Sequence, residues 1–315
     1  MAERAPAVPV VEVFKPKKRM PWYIECWPTL IKTKPLGTVG LVFVMALFIM
    51  GIFADFIAPY GMNETHLADR LKPYSTTYWL GTDNLGRDML SRIIYGARVS
   101  MFVGLGAVGL GTLGQVIIGL TTGYFAGSWW DLIMQRWVDA WMCFPGLIIL
   151  LNLMALMSPG MKSLIIALSL GTMFGGSRLM RGATLAMKDS QYVEAAKMIG
   201  CSNLRILTNY ILPNVMAPLL ISVSGALGGV IMAEASLSFL GFGIPPPSPS
   251  WGGMLSGSGR TYMYSAPWVA IWPGFVLSLV CFGFAVLGDA LRDVMDPRLR
   301  GTQGSRMGRG RGGAS

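Results

Sequence analysis

Charge is what this chain has least of. Only 13% of its 315 residues are charged and 53% are hydrophobic, with a mean hydropathy of +0.52. A soluble globular domain carries roughly 25% charge, so an ordinary soluble fold is excluded and an integral membrane protein is expected. Histidine is scarcer still. The single one, His66, is too little for an imidazole-based metal centre, and without a partner in its stretch it reads as a surface residue. HExxH and GxSxG are both absent, as is the phosphate-cradling GxxxxGK[ST], so the chain is not expected to hydrolyse ATP or to be an enzyme. Cys26, Cys143, Cys201 and Cys281 lie far apart in sequence and match no metal or redox spacing, which leaves them as free thiols. An apolar core close to the start is also missing. The first 36 residues are rich in proline and basic side chains, so the run that begins at Leu36 is expected to stay as a membrane anchor, not to be cleaved as a signal peptide.

What is present is a series of long apolar runs. Six are long enough to be read as spans, at 39–57, 99–122, 137–157, 164–176, 217–239 and 268–287. About 20 helical residues cross a hydrocarbon core of about 30 Å. The expected fold class is therefore an all-α integral membrane protein with six transmembrane helices. Gly119 and Gly123 in the second span, like Gly225 and Gly229 in the fifth, are spaced for close helix approach. Between the spans, 60–98 is polar and is expected to lie outside the bilayer, with Arg87, Arg92 and Arg98 at the lipid headgroups. The stretch 241–267 is a loop of proline, glycine and serine unsuited to regular helix. Asp55, Asp139, Glu234 and Asp289 fall near span ends, where a cap or an interfacial ion pair is a better reading than a proton relay. The 22 methionines fit packing better than soft-metal handling.

Orientation follows from lysine and arginine. With the N-terminus inside, nineteen of these residues fall on cytoplasmic segments and seven outside, which gives an N-in, C-in topology. The net charge of +10 is thereby explained by membrane orientation, with anionic lipid as a partner and no nucleic acid, since no recognition motif accompanies it. Four regions result: a cytoplasmic tail at 1–36, a first helix with an extracytoplasmic segment at 37–98, a core at 99–300, and a disordered basic tail at 301–315.

One polar island faces the cytoplasm, SQYVEAAKMIGCSNLRILTNYILP at 190–213. Tyr192, Ala195, Ala196 and Ile199 recur at i, i+3, i+4 and i+7, which places them on one helical face. Gly200 can close that helix in the left-handed conformation, and Ser202 or Asn203 can cap the next. On spacing alone the unit is either an amphipathic hairpin packed on its own domain or a docking element.

Glu194, Ala195, Ala196 and Gly200, followed by Leu212 and Pro213, resemble the EAA loop of binding-protein-dependent ABC importer permeases. Tyr210 stands where that pattern has isoleucine. LGTDNLGRDMLSRIIYGARVS at 80–100, DAWMCFPGLIILL at 139–151, EASLSFLGFGIPPPSPSWG at 234–252 and GDALRDVMDPRLR at 288–300 are similar to the C-type permease of dipeptide and oligopeptide transporters. The resemblance implies a type I ABC importer permease fold in the inner (cytoplasmic) membrane. It further implies a heterodimer with a B-type permease, two cytoplasmic ATPase subunits that carry ATP and Mg, and an extracytoplasmic solute-binding protein. This chain itself would bind no cofactor. Tyr192, Glu194, Ala195, Ala196, Ile199, Gly200, Leu212 and Pro213 would form the coupling site to the ATPase. A secondary transporter or channel without an ATPase is the competing class, and within the family a nickel or oligosaccharide importer is the alternative.

Overall fold

The computed structural model describes residues 35–295, and there the chain is helical, with one isolated antiparallel bridge joining Thr82 to Asp88. Cys26, most of the N-terminal tail, the last residues of the 288–300 stretch and the basic tail at 301–315 lie outside the described residues. Eight helices of eight residues or more organise the described part: α1 Pro35–Ile52, α2 Met89–Tyr124, α3 Trp129–Met142, α4 Gly146–Leu156, α5 Met161–Lys188, α6 Gln191–Met198, α7 Met216–Phe239 and α8 Trp268–Met295. Five of these are long and apolar enough to cross a membrane, and α3 with α4 makes a sixth span bent by 95°. The bend falls at Pro145, which lacks the backbone N–H needed to continue α3 and instead starts α4.

Helix α2 is the spine, lying along α5, and glycine sets their separation. A Cβ added at Gly111, Gly119 or Gly123 would lie 2.6, 2.3 and 2.6 Å from the Cβ atoms of Thr172, Met180 and Thr184. Only the missing side chains let the two backbones come so close. The α1 and α8 pair uses the same device, since a Cβ on Gly40 would sit 2.7 Å from the Gly283 carbonyl oxygen.

Several expected boundaries move. Helix α2 starts at Met89, ten residues before the expected span, because Asp88 caps it: the carboxylate accepts from Ser91 N–H at 2.8 Å and from Ser91 Oγ at 2.7 Å. Helix α5 runs on to Lys188, beyond the expected end at 176. Its arginines were polar enough to end the apolar run, yet they are neutralised in place. Arg181 grips Asp131 of α3 with two hydrogen bonds of 2.8 Å, and Arg178 pairs with Asp139. The 241–267 loop also contains short helical turns at Trp251–Met254, Leu255–Gly259 and Arg260–Tyr262. Ser250 caps the first, and the buried Trp251 indole donates to the Ile93 carbonyl at 3.1 Å.

The polar segment before α2 folds into a hydrogen-bonded cap. Tyr78 Oη donates to Asp69 Oδ2 at 2.9 Å and Lys72 also pairs with Asp69. The bond from Lys72, followed by that from Tyr78, holds the Asp69 carboxyl below the usual range. Burial, helped by the Asp69 carboxylate, pushes the Tyr78 phenol up to about 12. The three arginines expected at the headgroups each face a carboxylate of the chain itself. Arg87 and Arg92 face Asp83, while Arg98 donates to Gly51 O and binds Asp55 Oδ2 at 2.7 Å. A carboxylate within reach competes better for a guanidinium than a mobile headgroup does. Asp55 and Asp139 thus make the ion pairs expected of them. His66 is half-buried rather than fully at the surface, and its Nε2 lies 3.2 Å from Glu64 Oε1.

Candidate functional site

The 190–213 hairpin is assembled on the ends of α2 and α5. Val193 and Ala196, three residues apart on α6, are buried in a cluster with Leu120 of α2, Met180 of α5, and Ile206, Leu207 and Ile211 from the second arm. Gly200 then reverses the chain at φ +78°, a conformation in which a side chain is strained. Around it, Gly200 N–H donates to Lys197 O and Cys201 N–H to Ala196 O, both at 3.0 Å, which satisfies the end of the helix. Ser202 Oγ accepts from Arg205 N–H at 3.4 Å to start the second arm. That arm tightens from a π turn at Ile206–Ile211 into a 3-10 turn at Leu212–Asn214, with Pro213 placed where no N–H is needed. Tyr124 at the end of α2 pins the hairpin from below, donating to Asn203 Oδ1 at 3.1 Å while Lys197 Nζ lies 5.6 Å from its ring centre.

The helix-turn-helix expected from sequence is present, but its faces divide differently. Tyr192, Glu194, Ala195, Ile199, Gly200 and Pro213 are exposed, Leu212 is half-buried, and Ala196 points into the chain's own core at 2% exposure. Ala196 lies at the border between the two faces, and the burial of Val193 on its other side draws it inward. The outer surface also gains Met198 and Leu204, 88% and 72% exposed, neither of which is among the coupling residues that the resemblance implies. The 193/196 pairing and the apolar side chains around Gly200 were the available signals. The site's outer wall is therefore an apolar patch around a glycine turn, with Glu194 at its edge and no ion-pair partner for that carboxylate among the described residues.

A second surface lies in the membrane-spanning part. A groove of ≈ 430 Å³ runs between α5 and α7, floored by Gly171, Gly175, Gly225 and Gly229. At these four glycines an added Cβ would meet nothing within 4 Å, so close packing inside the chain does not account for them. Beside it, the buried Gln115 of α2 donates from Nε2 to Ser222 Oγ at 3.1 Å.

Residues 115–301 match the family described as the binding-protein-dependent transport system inner membrane component, and residues 31–73 match the N-terminal transmembrane domain of oligopeptide transport permease C. The chain belongs to this inner-membrane permease family. Among its relatives are the dipeptide transport system permease DppC of Alkalihalophilus pseudofirmus, 36% identical over 89% of this chain and 91% of that protein. The glutathione transport system permease GsiD of Escherichia coli O6:K15:H31 is 36% identical over 95% and 98% respectively. In fold, the chain is similar to the inward-facing MetNI methionine ABC transporter, with a TM-score of 0.54 at 15% identity over 66% of this chain and 98% of that one. It is a multi-pass membrane permease with the type I ABC importer permease fold, and the family works with ATPase and solute-binding partners.

Proposed function

We propose that this chain is the C-type permease subunit of an ATP-driven importer of dipeptides or oligopeptides in the cytoplasmic membrane, paired with a B-type permease. The observation that carries the coupling role is the apolar patch around Gly200, mounted on a rigid hairpin at the cytoplasmic end. There Met198, Ile199 and Leu204 stand largely uncovered by the rest of the chain, with Tyr192 partly exposed beside them. A groove on the ATPase would accept these side chains, with Tyr192 and Ile199 as anchors. Ala195 and Gly200 keep that surface low enough for close seating. Ala196 contributes from behind, fixing α6 to the second arm, and Leu212 with Pro213 joins the hairpin to α7.

ATP and Mg act on the ATPase subunits, and this chain holds no cofactor. Closure of the ATPase dimer moves the hairpin as a rigid body, and α5 and α7 rock with it so that solute delivered outside is released inside. The open groove between α5 and α7, with its unfilled glycines, is the face that the B-type subunit and the pathway would share. The named substrates of the relatives, dipeptide and glutathione, support a small peptide as cargo.

The test is reconstitution of both permeases, the ATPases and the binding protein in proteoliposomes. ATP-dependent uptake of labelled dipeptide is expected. Uptake that persists without the ATPase subunits would sink this reading in favour of a secondary transporter. Uptake of nickel or an oligosaccharide with no uptake of peptide would reassign the cargo.

A further inference from the structure

Opposite the hairpin, at the extracytoplasmic end, four separate stretches enclose a second cavity of ≈ 500 Å³. Residues 84–92, Pro159, the end of α7 and residues 243–258 all contribute to its wall. Its volume is within the roughly 300–1,000 Å³ of small-molecule sites. Arg87 and Arg92 line it together with Ser248, Ser256 and Ser258, and its lining includes no carboxylate. Leu85, Ile244 and Met254 supply apolar wall beside them.

The charge in this wall is not balanced. Arg92 is 7% exposed, and its buried Nη1 has no hydrogen-bond partner. The carboxylate beside it is Asp83, whose Oδ2 is 3.7 Å from Arg92 Nε, too far for a hydrogen bond. Asp83 is already engaged elsewhere. Its Oδ2 accepts from Arg87 Nε at 2.7 Å, and its Oδ1 accepts from the backbone N–H groups of Leu85 and Arg87 at 2.8 and 3.0 Å. Two guanidinium groups therefore share one carboxylate, which leaves an excess positive charge and an unmet buried donor. Leaving such a group unpaired is costly, and a planar guanidinium is best matched by a carboxylate.

We propose that this cavity receives the C-terminal carboxylate of a small peptide entering the transporter, with Arg92 as its anchor and the serine hydroxyls as further donors. The apolar wall suits the first side chain behind that carboxylate, which a bare inorganic anion would leave unused. The proposal rests on the peptide-importer reading and adds a substrate contact on the permease itself.

The experiment uses the assembled transporter in nanodiscs without its binding protein, and measures binding of labelled dialanine and of dialanine amide. Wild type is expected to bind the free acid about tenfold more tightly than the amide, and Arg92→Gln to abolish that difference. Ser258→Asp leaves the contacts of Asp83 in place and adds a competing carboxylate to the cavity. It should lose the same preference, and it decides the matter if Arg92→Gln does not assemble. Equal binding of acid and amide by wild type overturns the proposal, as does a preference that survives in both variants. Failure of the importer reading is separately visible, as wild type that retains the acid preference but shows no ATP-driven peptide uptake.

Discussion

Asp69 is where acid reaches the cap that precedes α2. Its carboxyl is held below the ordinary 3.8 by hydrogen bonds from Lys72 and Tyr78, so the charged form belongs to the folded cap. The resulting stabilisation is complete above 3.8, declines below it, and is gone once pH falls past the lowered folded value. Hydrogen exchange across residues 60–88 should therefore quicken on acidification through that window in wild type, and Asp69→Asn should flatten the dependence. An unchanged acid response in the variant would remove Asp69 from this role. At the other end of the protein, Gly200 holds φ +78°. Gly200→Ala is expected to cost about 1 kcal/mol through strain, whereas Gly200→Asp adds a charge to the apolar patch and should abolish uptake while the protein still inserts. Glu194→Lys reverses the charge at the patch edge and should also uncouple transport. Co-purification of the ATPase together with an uptake assay checks both, and normal values in both variants would refute the coupling role. The turn at Gly200 and the Ser202 cap were readable from residue type, because both depend on local backbone chemistry. The direction of Ala196 was not, since a border position is decided by what packs behind it.

Helix pairs make a sharper distinction among glycines than sequence spacing does. Gly119 and Gly229 both read as small packing residues, yet Gly119 faces Met180 at 2.3 Å and Gly229 faces open space. Gly119→Leu should lower the thermal stability of the purified chain by about 1–3 kcal/mol through overpacking. Gly229→Leu should leave that stability unchanged and instead reduce assembly with the partner permease or peptide uptake. Equal thermal shifts in the two variants would contradict the difference between these faces. A polar tie acts at the same scale. Arg181→Met strands Asp131, whose side chain is 4% exposed, and should cost ~2 kcal/mol after allowing for the partial exposure of the arginine. Adding Asp131→Asn should recover part of the loss, and a double-mutant cycle in detergent measures the coupling. The apolar centres of α1, α7 and α8 could be located from hydropathy alone. The N-terminal ten residues of α2 and the C-terminal turns of α5 could not, because each carries arginines whose nearest carboxylates lie on other elements or in loops.

At the scale of the whole molecule, the hairpin and the arginine-lined cavity occupy opposite ends of one helical frame. The hairpin rests on α2 and α5 at one end, and the arginine-lined cavity lies against the start of α2 and the end of α7 at the other. A rigid α2 spine is thus positioned to link movement at one end with access at the other. By itself the sequence determined the membrane class, the apolar centres of the spans, the glycine turn and the family, since these depend on composition, local period and short-range order along the chain. The tertiary structure decided which small residues are contacts and which are openings, which arginines are neutralised, and that Arg92 is left with an unmet donor. Those properties depend on distances between residues far apart in the chain, and such distances exist only once the helices have packed.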